Sequence, residues 1–272
     1  MAVAGRVFYK MSGSGNDFIM VNAMRDDVRE LTEPPVVQAL CARGTGVGAD
    51  GIVFLQPSSK AELRMVYLNS DGSRADLCGN ASLCTTRLAS VLGIVDTREF
   101  RLETDAGVLA VRIENGQPEV DLQPVTDVRP GLPFRREPGE QWIGFAIAGV
   151  PHLTVRCDAV NQVDVIGRGR PLRHEPSLER GANVNFVSRE PDGTWRIRTY
   201  ERGVEGETLA CGTGAVASAV QLVQSGEAAS PVRLVTRSGR TLRVRLQRAQ
   251  SGWLPSLSGE ATIVYRGELA GE

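Results

Sequence analysis

The sequence of 272 residues predicts an α+β fold of two pseudo-symmetric halves, each a curved, mostly antiparallel sheet around a central helix. Three observations support this prediction: an internal repeat, a series of short strand patterns separated by turns, and one run of small residues with helical character in each repeat. A helix that carries small residues on several faces is suited to being enclosed by a sheet. We therefore expect the sheet of each half to wrap around its helix.

The internal repeat has a period of 133 residues. Cys78 and Cys211 each stand before a glycine and a helical run, and Tyr67 matches Tyr200 in the same register. Two further segment pairs match at offsets of 133 and 132: 48–50 with 181–183, and 101–107 with 233–239. Several anchors in nearly one register indicate a diverged duplication. We place the first half at residues 1–123, joined by the C-terminal strand at about 259–272, and the second half at 124–258.

Strand patterns in the first half are bounded by turn residues. Strands are predicted at 7–10, 18–21, 52–55, 63–68, 100–104, 108–113 and 120–122. Pro34 and Pro35 favour the start of a helix that runs to Cys41, and Asn115-Gly116 is typical of a hairpin turn. The helical run of small residues spans 81–92 and is closed by Gly93.

The second half repeats this pattern after a linker rich in proline and arginine at 123–141. Strands are predicted at 142–148, 153–155, 185–187, 195–200, 232–236, 242–246 and 262–265. The second helical run covers 214–224 and ends at Ser225-Gly226.

The composition is that of an ordinary soluble globular protein. The net charge of −1 gives no basic surplus for nucleic acid, and no apolar run reaches the length of a membrane helix. The N-terminal residues lack the apolar stretch of a secretory signal, so a cytoplasmic location is expected.

Cysteine, histidine and lysine usage argues against a bound metal or an organic cofactor. Five cysteines in a chain of this length, without a Cys-x-x-Cys pair, do not suggest a disulfide framework, and two histidines are too few for a usual zinc site. The two lysines, Lys10 and Lys60, stand in no context that suggests a Schiff base. Cys41, Cys84 and Cys157 lie in apolar patterns and are assigned to the core.

The two repeated cysteines have a setting that suits acid-base chemistry. A thiol at a helix N-terminus meets the positive end of the helix dipole, which favours the thiolate, and the same N–H groups can hold a carboxylate. Gly79 and Gly212 allow a ligand to approach the backbone. With equivalent cysteines facing each other across a cleft between the halves, one thiol could remove a proton from a carbon while the other returns one.

The chain resembles the diaminopimelate epimerase family of pyridoxal-independent amino-acid epimerases and racemases. The resemblance runs from the glycine-rich segment at 10–18 to the C-terminus, and it is strongest at 200–203 and 207–214. Segments 46–51, 69–73 and 183–187 also fit the family pattern. The family fold, in which the C-terminal strand returns to the first half, agrees with the two-half prediction.

The resemblance implies epimerisation of LL-2,6-diaminopimelate to the meso form, in lysine and peptidoglycan precursor synthesis, by a homodimeric enzyme without a cofactor. It implies Cys78 and Cys211 as the acid-base residues, with His152 and Glu201 tuning the thiols. The implied substrate-binding residues are Asn16, Asn69, Gly79, Asn80, Asn183, Glu201, Arg202, Gly212 and Thr213. No metal site is implied.

Three other functions are compatible with the same residues. A racemase of another amino acid, or a related isomerase, would use the same paired thiols, and Val150 stands where the family usually has asparagine. A thiol redox protein would cycle the cysteine pair during turnover. A non-catalytic amino-acid-binding module would bind substrate without exchanging its α-hydrogen.

Overall fold

The protein consists of two compact units with the same internal design. A computed structural model describes residues 4–270. One unit contains the chain up to Val120 and again from Gly259, and the other contains Asp121–Ser258. Among residues 4–270, no helix combines the length and apolar character needed to cross a membrane.

Eighteen strands and four α-helices make up the described chain. The strands before the unit boundary are β1 Val7–Gly13, β2 Asn16–Asn22, β3 Gly51–Gln56, β4 Leu63–Asn69, β5 Arg74–Ala75, β6 Glu99–Thr104, β7 Gly107–Glu114 and β8 Gln117–Asp121. Those that follow are β9 Val128–Arg129, β10 Glu140–Ala148, β11 Val150–Cys157, β12 Asn183–Arg189, β13 Trp195–Glu201, β14 Gly206–Thr208, β15 Val232–Val235, β16 Thr241–Ala249, β17 Gly252–Gly259 and β18 Ala261–Glu268. The helices are α1 Pro34–Cys41, α2 Gly79–Val91, α3 Val165–Arg173 and α4 Gly212–Gln224.

Strand pairing follows one order in both units. In the first, β1 pairs antiparallel with β2 and with the returning strand β18. Strand β2 is parallel to β3, β3 antiparallel to β4, and β4 parallel to β6, which pairs antiparallel with β7. In the second, β10, β11, β12, β13, β15 and β16 repeat the same series of antiparallel and parallel pairings. The predicted α+β class and the repeat of the two halves are confirmed.

The helices of small residues are enclosed by their sheets, as predicted. Ten of the thirteen residues of α2 are buried, and so are ten of the thirteen residues of α4. Helix α2 packs against β1, β2, β3, β4, β7 and β18, and α4 packs against β10, β11, β12 and β16. Small side chains are needed here because strands surround each helix on several sides.

A second helix in each unit covers a separate apolar cluster. Helix α1 contributes Val37 and Cys41 to a core that includes Phe54, and α3 contributes Val165 and Leu172 to a core that includes Tyr200. The prediction of α1 from Pro34 to Cys41 is confirmed. Helix α3 was not predicted, so the expectation of a single helix in the second half was incomplete.

The residues of α3 explain why it was missed. Gly167, Gly169 and Pro171 lower its intrinsic helix propensity. The helix is held at its start by Asp164, whose carboxylate accepts the Gly167 N–H at 2.9 Å. It is held along its face by close packing on Tyr200, since a Cβ at Gly169 would stand 2.6 Å from the Tyr200 Cβ.

Candidate active site

The two repeated cysteines occupy the same structural position in their units. Each is the N-cap residue of its central helix, with φ −134° and ψ 116° at Cys78 and φ −137° and ψ 110° at Cys211. Cys78 is half-buried and Cys211 is buried with 9% of its surface exposed. The backbone is extended at both positions and continues directly into the first turn of the helix.

The Cys211 sulfur is held by the first turn of α4. The Gly214 N–H donates to Cys211 Sγ at 3.3 Å, and Thr213 Oγ1 lies 3.6 Å from the same sulfur. A donor from the backbone and a hydroxyl at a helix N-terminus stabilise negative charge on sulfur. The same orphan N–H groups of the first turn can receive a carboxylate.

The other three cysteines differ from this pair. Cys41, Cys84 and Cys157 are buried, and the prediction that they belong to the core is confirmed. Burial raises the pKa of Cys41 to about 11 and that of Cys157 to about 12, and it raises the pKa of the fully buried Cys84 further. These thiols therefore stay protonated at neutral pH and are unsuited to acid-base work.

In the first unit, a chain of side chains connects the start of α2 to a charged cluster. The Asn80 amide donates to Asn16 Oδ1 at 2.6 Å, and the Asn16 amide donates to Asp50 Oδ2 at 2.9 Å. Arg43 donates to Asp50 Oδ1 at 2.6 Å and to Asp17 Oδ1 at 2.7 Å. Asn80 is buried, and its Oδ1 has no hydrogen-bond partner among the residues that the structure describes. Asn80 is thus held by Asn16, and Asn16 is held by Asp50, a residue outside the predicted set.

Asp50 also ties this chain to the turn that carries Asn69. The Ser70 N–H donates to the Asp50 carbonyl at 3.0 Å, and the Asn69 amide donates to Ser73 Oγ at 3.0 Å. Asn69 therefore lies at the end of β4 in a turn anchored to the same aspartate as Asn16. The sequence analysis missed Asp50, although the repeat aligns it with Asn183.

In the second unit, His152 is completely buried in β11. Its Nδ1 lies 3.2 Å from the Asn185 amide nitrogen, and its Nε2 has no hydrogen-bond partner among the described residues. Burial, together with the positive charge of Arg202, lowers the pKa of His152 from 6.5 to about 3. The ring is therefore neutral at physiological pH and can donate or accept a hydrogen bond. It does not provide a positive charge that would stabilise a thiolate.

Asn183 and Arg202 lie close to His152 in the second unit. His152 and Asn183 are directly opposite each other in the parallel pair β11–β12. The Arg202 backbone N–H donates to Asn183 Oδ1 at 2.7 Å, and its guanidinium donates to the Arg180 carbonyl at 3.2 Å. Glu201 is the last residue of β13 and is half-buried.

Each unit thus gathers part of the predicted set. The first holds Cys78 and Gly79 at the start of α2, beside Asn80 and its partner Asn16. The second holds Cys211 with Gly212 and Thr213 at the start of α4, and His152 with Asn183 and Arg202 around the ends of β11, β12 and β13. Arg43, Asp50 and Asn185 were not among the predicted site residues; each has a partner more than twenty residues away in sequence: Asp17, Asn16 and His152, respectively.

Comparison with known proteins identifies the family. Residues 8–127 and 145–264, one segment from each half of the repeat, both match the family described as diaminopimelate epimerase. The chain belongs to the diaminopimelate epimerase family. It is 47% identical to the diaminopimelate epimerase of Gemmatimonas aurantiaca, over 97% of this chain and 99% of that one. It is 39% identical to the diaminopimelate epimerase of Aquifex aeolicus, over 97% and 98% of the two chains.

Solved structures with low sequence identity share the fold of this family member. A Bacillus anthracis protein of the PhzF phenazine biosynthesis family matches with a TM-score of 0.76 at 16% identity, over 97% of this chain and 98% of that one. A hydroxyproline epimerase from Agrobacterium vitis matches with a TM-score of 0.70 at 18% identity, over 97% and 92%. At such low identities the similarity shows a common fold only, and the chemistry must be argued from the residues of the site.

Proposed function

We propose that this chain is an isomerase that converts LL-2,6-diaminopimelate to meso-diaminopimelate without a cofactor, with Cys78 and Cys211 as the two acid-base residues. Membership of the diaminopimelate epimerase family and high coverage of its curated relatives support the reaction, and lysine biosynthesis follows from it. The single structural observation that supports the cysteine roles is the matching N-cap geometry of Cys78 and Cys211 at the starts of the two enclosed helices.

The proposed reaction is a 1,1-proton transfer at the α-carbon. One cysteine, as thiolate, takes the α-proton, and the electron pair of the broken C–H bond delocalises into the adjacent carboxylate. The other cysteine, as thiol, gives its proton to the opposite face of the carbon. The protonation states of the two sulfurs are exchanged after each turnover, and proton exchange with solvent restores them.

Two kinds of stabilisation are required for a useful rate. A positioned acid or base contributes roughly 10²–10⁴-fold, and a preorganised donor to a developing oxyanion contributes roughly 10²–10³-fold. The N–H groups that follow Cys78 and Cys211 are suited to the second task, because they lie at helix N-termini beside Gly79 and Gly212, where a carboxylate can approach the backbone.

The remaining predicted residues are proposed to recognise the substrate. Gly79, Asn80, Gly212 and Thr213 would hold the reacting carboxylate, and Asn16, Asn69, Asn183, Glu201 and Arg202 would hold the distal amino-acid end. A site that hydrogen-bonds polar groups of its substrate rejects analogues that lack them by roughly 10⁴-fold or more. We therefore expect alanine, lysine and proline to be very poor substrates.

The test is α-hydrogen exchange in D₂O with diaminopimelate as substrate. Wild-type protein treated with EDTA, and without added pyridoxal phosphate, should incorporate deuterium at the α-carbon. Cys78→Ala and Cys211→Ala should each lower epimerisation by roughly 10²-fold or more, since each removes one of the two acid-base groups. The matched control is Cys157→Ala, which removes a buried thiol outside the site. Full epimerisation by either N-cap variant would rule out the proposed two-base mechanism.

We also propose that the enzyme is a cytoplasmic homodimer. The support is the exposure of two neighbouring apolar side chains on β18, Val264 at 58% and Tyr265 at 44%, which a second subunit could cover. Light scattering of the purified protein should give twice the mass of one chain. A monomer mass over the whole working range of concentration would contradict the dimer.

A further inference from the structure

Asn185, a buried residue of β12, contacts three groups around the Cys211 half-site. Its amide nitrogen donates to the Leu153 carbonyl at 2.9 Å and lies 3.2 Å from His152 Nδ1. Its Oδ1 accepts from Thr199 Oγ1 at 3.0 Å. All hydrogen-bonding capacity of the amide nitrogen is therefore used inside the protein.

These contacts fix the orientation of the amide and, with it, the tautomer of His152. A main-chain carbonyl only accepts, so the atom of Asn185 that faces Leu153 must be the NH₂ group. The second hydrogen of that NH₂ group points to His152 Nδ1, which must then be unprotonated. A neutral imidazole carries one proton, and it is placed on Nε2. That Nε2 is buried and has no acceptor among the described residues, a costly arrangement that suggests a ligand atom as its partner.

Asn185 also lies against the turn that holds the Cys211 sulfur. A Cβ on Gly214 would stand 2.2 Å from Asn185 Oδ1 and 3.2 Å from Cys211 Sγ, so this residue must be glycine for the two groups to approach it. The N–H of the same Gly214 donates to the sulfur at 3.3 Å. The position of the Asn185 amide therefore affects the backbone that donates to Cys211.

The first half of the repeat shows that the fold does not need this arrangement. At the offset of 133 residues that aligns Asp50 with Asn183, Ile52 of β3 takes the place of Asn185. Ala81 takes the place of Gly214 at the offset of 133 residues. An isoleucine and an alanine at these two positions are thus compatible with the repeated fold.

We propose that Asn185 is a positioning residue of the Cys211 half-site: it holds His152 as the Nε2–H tautomer and packs on Gly214, the donor to the Cys211 sulfur. This proposal rests on the proposed function, in which His152 and Cys211 belong to the active site. The charged group that acts on the ring is Arg202, which follows β13. In this role the neutral ring presents a fixed N–H donor to the substrate or to the thiolate.

The first experiment measures the tautomer directly by ¹⁵N NMR of the histidine rings. The chain has two histidines, so His174→Gln leaves His152 as the one observed ring. Between pH 5.5 and 8.5 we expect protonated Nε2 and unprotonated Nδ1 at His152. A protonated Nδ1, or a ring that titrates in this range, would overturn the proposal without any substitution at Asn185.

The second experiment substitutes the amide. Asn185→Asp replaces the NH₂ group by an oxygen, so His152 should move its proton to Nδ1 or become a cation, and kcat should fall about tenfold or more. KM should change little, because Asn185 does not contact the substrate in the proposed role. Asn161→Asp, an exposed site in the same unit, controls for the added charge. An unchanged tautomer or an unchanged kcat in Asn185→Asp would contradict the proposal.

A third variant separates a loss of activity from a loss of folding. The double substitution Asn185→Ile with Gly214→Ala copies Ile52 and Ala81 of the first half, so it should fold. Its melting temperature should be lower than that of the wild type, because the buried Leu153 carbonyl loses its donor. The folded variant should lose about tenfold or more in kcat and show a mixture of His152 tautomers. Wild-type kcat in this folded variant would overturn the proposal. If Cys211→Ala retains full activity, the proposed function fails instead, while the NMR result still reports on the tautomer.

Discussion

At the scale of single residues, the sequence is a better guide to the candidate acid-base cysteines than to the residues that surround them. Cys78 and Cys211 are identified by a local pattern, because a helix start needs only the residues that follow it. The neutral state of His152 could not be predicted in this way. It depends on complete burial in β11 and on Asn185, which lies 33 residues away in sequence.

The lowered pKa of His152 predicts a pH dependence of stability. In the unfolded chain the ring binds a proton near pH 6.5, whereas in the folded protein it does so near pH 3. Between these values the unfolded state binds more protons, so the free energy of unfolding falls as the pH falls, by at most about 1.4 kcal/mol per pH unit. His152→Phe, which replaces the titratable ring by an apolar one, should remove this contribution.

The measurement is urea denaturation of the wild type and the variant at pH 7 and pH 5. Relative to His152→Phe, the wild type should lose about 2 kcal/mol more of its free energy of unfolding over this range. His174→Gln, which removes the exposed histidine and leaves the buried ring in place, is the control. Equal slopes for the wild type and His152→Phe would mean that the buried ring does not resist protonation.

At the scale of elements, helices α2 and α4 were predictable because their small residues form a continuous local signal. Helix α3 and strand β17 were not predicted, since each contains residues that usually interrupt such elements, among them Pro171 in the helix and Pro255 in the strand. Tertiary packing overrides propensity at these places. The loop between α1 and β3 gave no strand or helix signal at all, yet it contributes Arg43 and Asp50 to the support of the predicted asparagines.

Asp50 provides a test of that support. Asp50→Asn removes the charged acceptor of the Asn16 amide and one of the partners of Arg43. A hydrogen bond to a charged group contributes about 1.5–3 kcal/mol, so the loss of order at Asn16 should raise KM for diaminopimelate about tenfold. Asp50 is partly exposed and Arg43 remains paired with Asp17, so the melting temperature should change little.

Steady-state kinetics of Asp50→Asn and of a matched variant distinguish this effect from a general loss of charge. Asp27→Asn removes the same charge from an exposed pair with Arg29 in the same unit and should leave KM unchanged. If both variants have the wild-type KM, Asp50 does not position the substrate-binding asparagines.

At the scale of the whole molecule, the duplication was readable from the sequence because both copies keep their cysteine, glycine and turn residues in register. The mixture of parallel and antiparallel strand pairs in the sheets could not be predicted from the sequence. In each unit two strand pairs are parallel, β2–β3 and β4–β6 in the first and β11–β12 and β13–β15 in the second. Each of these pairs is joined by a long connection, and alternating hydrophobicity within a strand does not reveal the direction of its neighbour. The shared order of pairings shows that the two copies diverged in side chains while keeping one topology.

A duplicated acid-base residue predicts a distinctive isotope pattern. If one thiol removes the α-proton and a different thiol delivers the new one, the abstracted proton cannot return to the product. In D₂O, diaminopimelate converted in the first turnovers should therefore carry one deuterium at the inverted α-carbon, while the remaining substrate stays almost entirely protiated. Mass spectrometry of the separated stereoisomers, taken at less than about a tenth of conversion, measures both populations. A single residue acting on both faces would carry its proton across and give an early product rich in protium. That outcome would contradict the division of acid-base work between Cys78 and Cys211, even with the family and the fold unchanged.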